Sequence, residues 1–330
     1  MGPVSADDAR WMGAALTLAS RGRGQTSPNP SVGCVIVRDG MVVGRGWTQP
    51  GGRPHAEAMA LADAGAAAVG ATVYVTLEPC AHVSARGPAC ADLLLAAKVA
   101  RVVVALGDPD PRTNGKGLAR LAAAGIETIA GVRADEARAT MAGFLSRIEN
   151  GRPHVTLKLA TSLDGCIAMA DGESRWITGP EARAHAHLER SRHEAVLVGR
   201  GTWDVDQPKL DVRLPGLESR SPSRVVLSSA RGEGDTAWID SPAAIADLPG
   251  DHLFIEGGAG AAAAFLAQDL VDRLVLYRAP ILIGRGRAAL GDIGLGALGD
   301  AHDRWTCTDT RQLGRDRLEV YERVRCLPGS

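Results

Sequence analysis

Three residues of types that ligate zinc, His55, Cys80 and Cys90, stand on stretches that only a folded layer of strands and helices can bring to one point. Glu57 follows the histidine by two positions, and Pro79-Cys80 comes 22 residues after Glu57. One imidazole and two thiolates make a three-ligand zinc site, and its open fourth position suits catalysis. Glu57 is placed to reach a metal-activated water without ligating the metal. That is the arrangement of zinc deaminases acting on nucleobase-like rings. A lone His-x-Glu is commonplace and a lone Pro-Cys is usually a turn beside a buried thiol, so the signal lies in the combination. The spacing departs from Cys-x-x-Cys, with nine residues between Cys80 and Cys90. The rival reading is a structural zinc, which needs a fourth protein ligand. His82 and Cys34 are the nearby candidates, although Cys34 sits in the apolar run from Val32 to Val37 and reads as a buried strand residue.

A chain of 330 residues exceeds one ordinary core and suggests two domains. The break is expected at Asn150-Gly-Arg-Pro153, giving domains 1–150 and 151–330. A net charge of −1 offers no electrostatic footprint for nucleic acid, and 4% aromatic residues offer little for stacking along a single strand. Six cysteines are few for a disulfide framework in so long a chain, which fits a reducing cytoplasm. No secretory signal is expected, and the apolar runs are too short and interrupted for a membrane span.

Ser5 to Ser20 reads as a capped amphipathic helix. Val32–Val37 and Met41–Gly46 read as a hairpin turning at Asp39-Gly40. A helix follows from His55 to Ala64, a strand from Thr72 to Leu77, a helix from Ala89 to Ala97 and a strand from Val102 to Leu106. A helix around Leu118–Ala124, a strand at Ile126–Ile129 and a helix over Ala134–Ile148 complete the first half, an α/β layer arrangement. His55 and Glu57 share no face of a regular helix, so one site meets both only at a helix start. Pro88 and Cys90 likewise mark a helix start, where a thiolate is favoured. In the second half, strands are expected at 154–160, 195–198, 224–227, 253–255 and 273–277, with helices near 181–192 and 261–266. Leu214–Ser223 is expected to be a surface loop and the last four residues a frayed tail.

Pro28-Asn-Pro-Ser-Val-Gly-Cys34, Gly51-Gly-Arg-Pro-His-Ala-Glu57 and Thr76-Leu-Glu-Pro-Cys80, in that order, resemble the bifunctional deaminase/reductase family of riboflavin biosynthesis. Lys158-Leu-Ala-Thr-Ser-Leu-Asp-Gly165, Trp176-Ile-Thr-Gly179, Gly199 to Arg213 and Glu256-Gly-Gly258 resemble its reductase half. The resemblance implies an α/β protein: a cytidine-deaminase-like α/β/α domain followed by a dihydrofolate-reductase-like α/β domain. It implies deamination of 2,5-diamino-6-ribosylamino-4(3H)-pyrimidinone 5′-phosphate with Zn2+, then NADPH reduction of the ribosyl group to ribityl. A small phosphorylated pyrimidine is thus the expected partner, and a homo-oligomer the expected assembly.

By the same resemblance His55, Cys80 and Cys90 bind the metal, Glu57 moves the proton, and Asn29 holds the pyrimidine. Lys158 and Asp206 orient or protonate the opening sugar. Ala160, Trp176, Thr202, Asp206, Ser228, Gly258, Ala259 and Gly260 are implied at the nicotinamide cofactor, and Ser174, Arg190, Leu210, Arg213 and Glu256 at the substrate. Two Arg guanidiniums suit a phosphate, and a glycine-rich strand-to-helix turn suits a cofactor phosphate. Each has an ordinary reading beside it: Asn29 as a turn residue, Trp176 in a core, Lys158 in a structural ion pair.

The chain departs from the family pattern at Thr48, where many relatives carry histidine, at Cys166 for lysine, and at Gln207 for an acid. The Cys80–Cys90 spacer is also one residue longer than usual. Two other readings stay open from the residues alone. One is a deaminase of a free nucleoside or base fused to an unrelated reductase or nucleotide-binding half. The other is a non-enzymatic zinc module joined to a nucleotide sensor.

Overall fold

The computed structural model describes residues 5–82, 86–232 and 234–325. The expected tail, and part of the loop between Cys80 and Cys90, lie outside them. The chain packs as two compact units, Met1–Gly151 and Arg152–Ser330.

The first unit opens with α1 (Ala6–Ala19), entered through a reciprocal capping box in which Ser5 and Asp8 satisfy each other's backbone amides. Strands β1 (Gly33–Arg38) and β2 (Met41–Trp47) form the hairpin, with Asp39 and Gly40 both left-handed at its turn. Then come α2 (Ala56–Ala64), β3 (Thr72–Leu77), α3 (Cys90–Ala96), β4 (Arg101–Leu106), α4 (Lys116–Ala123) and β5 (Glu127–Ala130). The sheet runs in the order β2-β1-β3-β4-β5, antiparallel at the hairpin side and parallel from β3 onward. Its core joins Met12, Ile36, Val103, Leu121 and Ile129, none more than 2% exposed. Helix α2 lies directly on β2, because a Cβ on Gly46 would stand 2.2 Å from the carbonyl oxygen of Ala56. That close approach seats the first turn of α2, and with it His55 and Glu57.

One expected element divides. Instead of a single helix over 134–148 there are α5 (Ala134–Thr140) and α6 (Ala142–Asn150), broken at Met141 (φ −103°, ψ 18°). The break keeps Met141 inside the core, 1% exposed, in company with Ala137 and Leu145.

The second unit contains β6 (His154–Thr161), β7 (Cys166–Ala168), α7 (Pro180–Arg190), β8 (Ala195–Gly199), α8 (Arg200–Asp206), β9 (Ser223–Leu227) and β10 (Ala237–Ile239). It continues with β11 (His252–Ile255), α9 (Ala259–Ala267), β12 (Arg273–Arg278), β13 (Arg287–Ala288), β14 (Trp305–Leu313) and β15 (Asp316–Arg323). Eight strands form a mixed sheet in the order β10-β9-β8-β11-β6-β12-β15-β14. Its central strands are parallel and apolar on both faces, as covered parallel strands must be. The terminal β14–β15 hairpin, α8 and the short strands were not expected from sequence. The missed signal in β15 is the alternation of Leu318 and Val320 with Arg317 and Glu319. β14 gave none, since most of its residues are exposed.

An ion pair fastens α1 to the sheet of the first unit. Arg101 donates to both oxygens of Asp8 at 2.7 and 3.0 Å, and Tyr74 donates to Asp8 at 3.1 Å. The Arg101 guanidinium holds the Asp8 carboxyl well below the usual carboxylate range. A lowered folded pKa means stabilisation that is fully present above about pH 4 and fades as pH falls toward the folded value. Asp8→Asn is therefore expected to cost about 2 kcal/mol at neutral pH and clearly less at about pH 3, measured by urea unfolding at both pH values.

Candidate active sites

In the first unit the ligand-type residues sit at the ends of elements. His55 is the extended N-cap of α2, so its side chain leaves the helix, while Glu57 lies one turn position inside. Cys80 follows the end of β3, and Cys90 is the first residue of α3. His55 Nδ1 lies 3.2 Å from Cys90 Sγ and 3.7 Å from Cys80 Sγ, and the three ligand atoms are all within 4.8 Å of one another. Tetrahedral zinc with bonds of about 2.0 Å to nitrogen and 2.3 Å to sulfur sets such atoms roughly 3.5–3.8 Å apart, so the donor set and its spacing fit that metal. Among the described residues neither candidate fourth ligand joins the cluster. His82 Nδ1 lies 3.3 Å from Thr113 Oγ1, and Cys34 is buried in β1.

Electrostatics at this corner call for a cation. Cys80 is pulled down to about 4 by the hydrogen bond with Cys90, against burial, with His55 and the Cys90 amide also lowering it. Cys90 is pushed up, first by Cys80 and then by burial. The two thiols thus shift in opposite directions, and a divalent ion bound between them would favour the thiolate form of both. Glu57, 4% exposed, is pushed up to about 7 by burial, with His55 opposing.

His55, Glu57 and Cys80 line a cavity of about 230 Å³. Asn29 lines it; its Nδ2 donates to the Gly52 carbonyl at 2.8 Å and lies 3.1 Å from His55 Nε2. The ordinary turn role and contact with the ligand histidine therefore coexist. Thr48 also lines the cavity, and its hydroxyl accepts from the Val32 amide at 3.0 Å, so much of its polarity is spent on the backbone. The sequence reading missed Arg53, Asp108, Asp110 and Arg112 on the walls. Burial pushes Asp108 up to about 6. The signal was available: acids in a Pro-rich loop at the carboxyl end of a parallel strand stand where open α/β sheets place their ligands.

In the second unit Glu256, at the end of β11, is the hub. Its buried side chain is clasped by the Arg190 guanidinium from α7, and Lys158 Nζ from β6 approaches to 3.6 Å. Burial pushes Glu256 up, but Arg190 and Lys158 outweigh it and hold the carboxyl below its ordinary value. Arg190 also donates to the Asp211 carbonyl at 2.9 Å. Asp206, the last residue of α8, faces Arg175 at 3.5 Å instead, so the two residues expected to work on the sugar have different ionic partners. His187, overlooked in the sequence, lies against the Leu210–Arg213 segment: its Nδ1 is 3.1 Å from the Asp211 carbonyl and 3.3 Å from the Arg213 amide, and its tautomer sets which of the two it bonds.

The other expected residues divide into open and enclosed. Trp176 is 65% exposed with Arg183 stacked on it at 4.6 Å, which removes the core reading. Ser174 and Arg213 are exposed, whereas Leu210 packs with Val196, Val198, Val226 and Phe254 and keeps its side chain from solvent. Ala160 is half-buried on β6, and Ser228 turns back at the end of β9 to the Ala230 carbonyl at 2.8 Å. Gly258 is the N-cap of α9 with no side chain capping the helix, and a Cβ there would meet Thr202 Oγ1 at 3.4 Å. Ala259 and Gly260 begin that helix, and the space over Gly260 is open.

A cavity with a three-ligand zinc corner and a buried, non-ligating carboxylate defines a hydrolytic deaminase of the cytidine type, here joined to a second α/β unit. The family comparisons agree. Residues 5–106 match the cytidine and deoxycytidylate deaminase zinc-binding region, and residues 153–318 match the RibD C-terminal domain. The riboflavin biosynthesis protein RibD of Escherichia coli is 39% identical across 94% of this chain and 97% of its own length. That of Mycobacterium tuberculosis is 38% identical across 93% and 95%. Among solved structures, Acinetobacter baumannii RibD superposes with a TM-score of 0.86 at 37% identity, covering 96% of this chain and 99% of that one. A Thermotoga maritima diaminohydroxyphosphoribosylaminopyrimidine deaminase/5-amino-6-(5-phosphoribosylamino)uracil reductase gives 0.87 at 30% identity, with the same coverage. The chain belongs to the RibD family, the bifunctional zinc deaminases and reductases of riboflavin biosynthesis.

Loss of one thiolate should abolish tight zinc binding. Cys90→Ser is expected to retain less than about a tenth of the metal of the parent chain, while Cys34→Ser keeps about one zinc per chain. Metal analysis after dialysis against a weak chelator measures both, and equal loss in the two would revive the four-ligand structural site.

Proposed function

We propose that the unit spanning 1–150 deaminates 2,5-diamino-6-ribosylamino-4(3H)-pyrimidinone 5′-phosphate at C2, and that the unit spanning 151–330 reduces the ribosyl group of the product with NADPH. Family membership and the site geometry both support this reading. The single observation that carries the first step is the buried Glu57 carboxylate beside the His55, Cys80 and Cys90 cluster, in a cavity of about 230 Å³.

When bound to those three ligands, zinc supplies Lewis-acid activation of the attacking water. Glu57 then has the work of a proton carrier: it takes the water's proton at its carboxylate and delivers it to the departing amine, so that water is consumed and ammonia leaves. Burial, which pushes its carboxyl up, favours that exchange. Asn29, tethered through Nδ2, offers Oδ1 to the ring. Arg53 and Arg86 on the cavity wall supply positive charge for the 5′-phosphate, whereas Arg112 is paired with Asp110.

In the second unit the uncapped start of α9 at Gly258–Gly260 offers backbone amides to a cofactor phosphate. NADPH supplies a hydride when bound. Lys158, held by Glu256, is placed to protonate the ribosyl ring oxygen as C1′ accepts that hydride. Arg190 is committed to Glu256 and the Asp211 carbonyl, so we assign it to fixing Glu256 and assign phosphate contact to the exposed Arg213. Asp206 beside Arg175 and the exposed Trp176 are accessible for the cofactor contacts that family membership implies for them. The buried free thiols suit a reducing cytoplasm, and a homo-oligomer remains the expected assembly.

A coupled assay following ammonia release and NADPH oxidation separates the two halves. Glu57→Gln should lower deamination by about 10²–10⁴-fold while zinc content and reduction of the deaminated substrate stay at parent levels. Lys158→Met should do the converse. Parent-level ammonia release by Glu57→Gln, or identical losses of both activities in either variant, would contradict the assignment.

A further inference from the structure

The residue before Pro79-Cys80 has a carboxylate whose acceptor sites are filled by backbone. Glu78 is 3% exposed. Its Oε1 accepts from the amides of Gly117 at 3.0 Å and Leu118 at 3.1 Å, and its Oε2 from Gly115 at 2.9 Å and Asp108 at 3.3 Å. Among the described residues no arginine or lysine shares in this, and four backbone amides solvate the carboxylate. Gly115 is the N-cap of α4, and Gly117 and Leu118 lie in its first turn, the end at which a helix welcomes negative charge. The Glu78 amide in turn donates to the Leu106 carbonyl at 2.8 Å, binding the end of β3 to the end of β4. A Cβ on Gly117 would stand 2.0 Å from the Pro79 carbonyl, so the helix start presses directly on the peptide leading to Cys80.

We propose that Glu78 is a positioning residue that holds the Cys80 ligand and the substrate-facing loop in one register. On one side of it is the Pro79-Cys80 segment, and on the other the loop from Gly107 to Gly115, whose Asp108, Asp110 and Arg112 line the cavity. A single carboxylate thus couples metal retention to the shape of the cavity wall. Its kinetic consequence rests on the deaminase reading given above; its consequence for the metal does not.

Glu78→Gln keeps the shape of the side chain but turns an NH₂ group toward backbone donors, breaking one half of the clamp. In the full-length zinc-loaded protein, transfer of zinc to a chelator is expected to become about tenfold easier, as for loss of other groups that orient metal ligands. KM for the pyrimidine should rise about tenfold with a smaller change in kcat, since a misplaced wall weakens binding before it weakens proton transfer. Reduction of the deaminated substrate should be unchanged. In the metal-free protein the amides of Gly115, Gly117 and Leu118 should exchange with deuterium faster than in the parent. Chelator resistance and KM both within twofold of the parent would overturn the proposal. A parent chain that fails to deaminate the pyrimidine would overturn the substrate assignment alone, because the chelator and exchange measurements need no substrate. Should Glu78→Gln unfold the first unit, Glu78→Ala with and without formate decides: chelator resistance restored by formate supports the clamp, and no restoration refutes it.

Discussion

Two thiols and a carboxyl group buried within a few ångströms of one another cannot all carry charge unless a cation joins them. In this protein the Cys80 thiol is pulled down by its bond with Cys90, while the Cys90 thiol and the Glu57 carboxyl are pushed up. That conflict is what a divalent metal resolves, and the rest of the first unit keeps it from being relieved another way. The α2 helix is seated directly on β2 at Gly44 and Gly46, which fixes the height of its first turn over the sheet. The α3 start cannot withdraw, because the Cys90 amide donates to the Cys80 sulfur at 3.2 Å. Folding energy spent on the scaffold is thus what holds an arrangement that is unfavourable without its ion.

The second unit treats buried charge in the opposite manner. Glu256 is satisfied within the protein by Arg190 and Lys158, so the group is fixed and ionised rather than poised near neutrality. Glu57, by contrast, has among the described residues no cationic side chain paired with it as Glu256 has, and burial outweighs the bonds that lower its carboxyl. The contrast between these two acids separates a centre for hydrolysis from a centre for reduction more clearly than the shape of either unit does.

The sequence made the first unit largely readable because its strands alternate or run apolar in short lengths and its turns use Asp39-Gly40 and glycine-rich breaks. It failed where burial decided against local pattern. Ala134–Ile148 has uninterrupted helix formers, yet Met141 breaks the run because its side chain is needed inside. The β14–β15 hairpin was missed because β14 lacks an apolar face, and only pairing with β15 makes it a strand. Residue roles were less readable than elements. Arg190 carries the right chemistry for phosphate, but the proximity of Glu256 and of the Asp211 carbonyl commits it elsewhere.

The order of the residues alone determined that an imidazole, two thiols and an acid were present at spacings suited to helix starts, and that a second α/β half followed. Tertiary structure decided which of these groups meet, how deeply each is buried and what each is paired with. Ligation chemistry is a property of side-chain type and is therefore written in the chain. The pKa of Glu57, the commitment of Arg190 and the clasp around Glu78 depend on distances between segments far apart in sequence, and those exist only after packing.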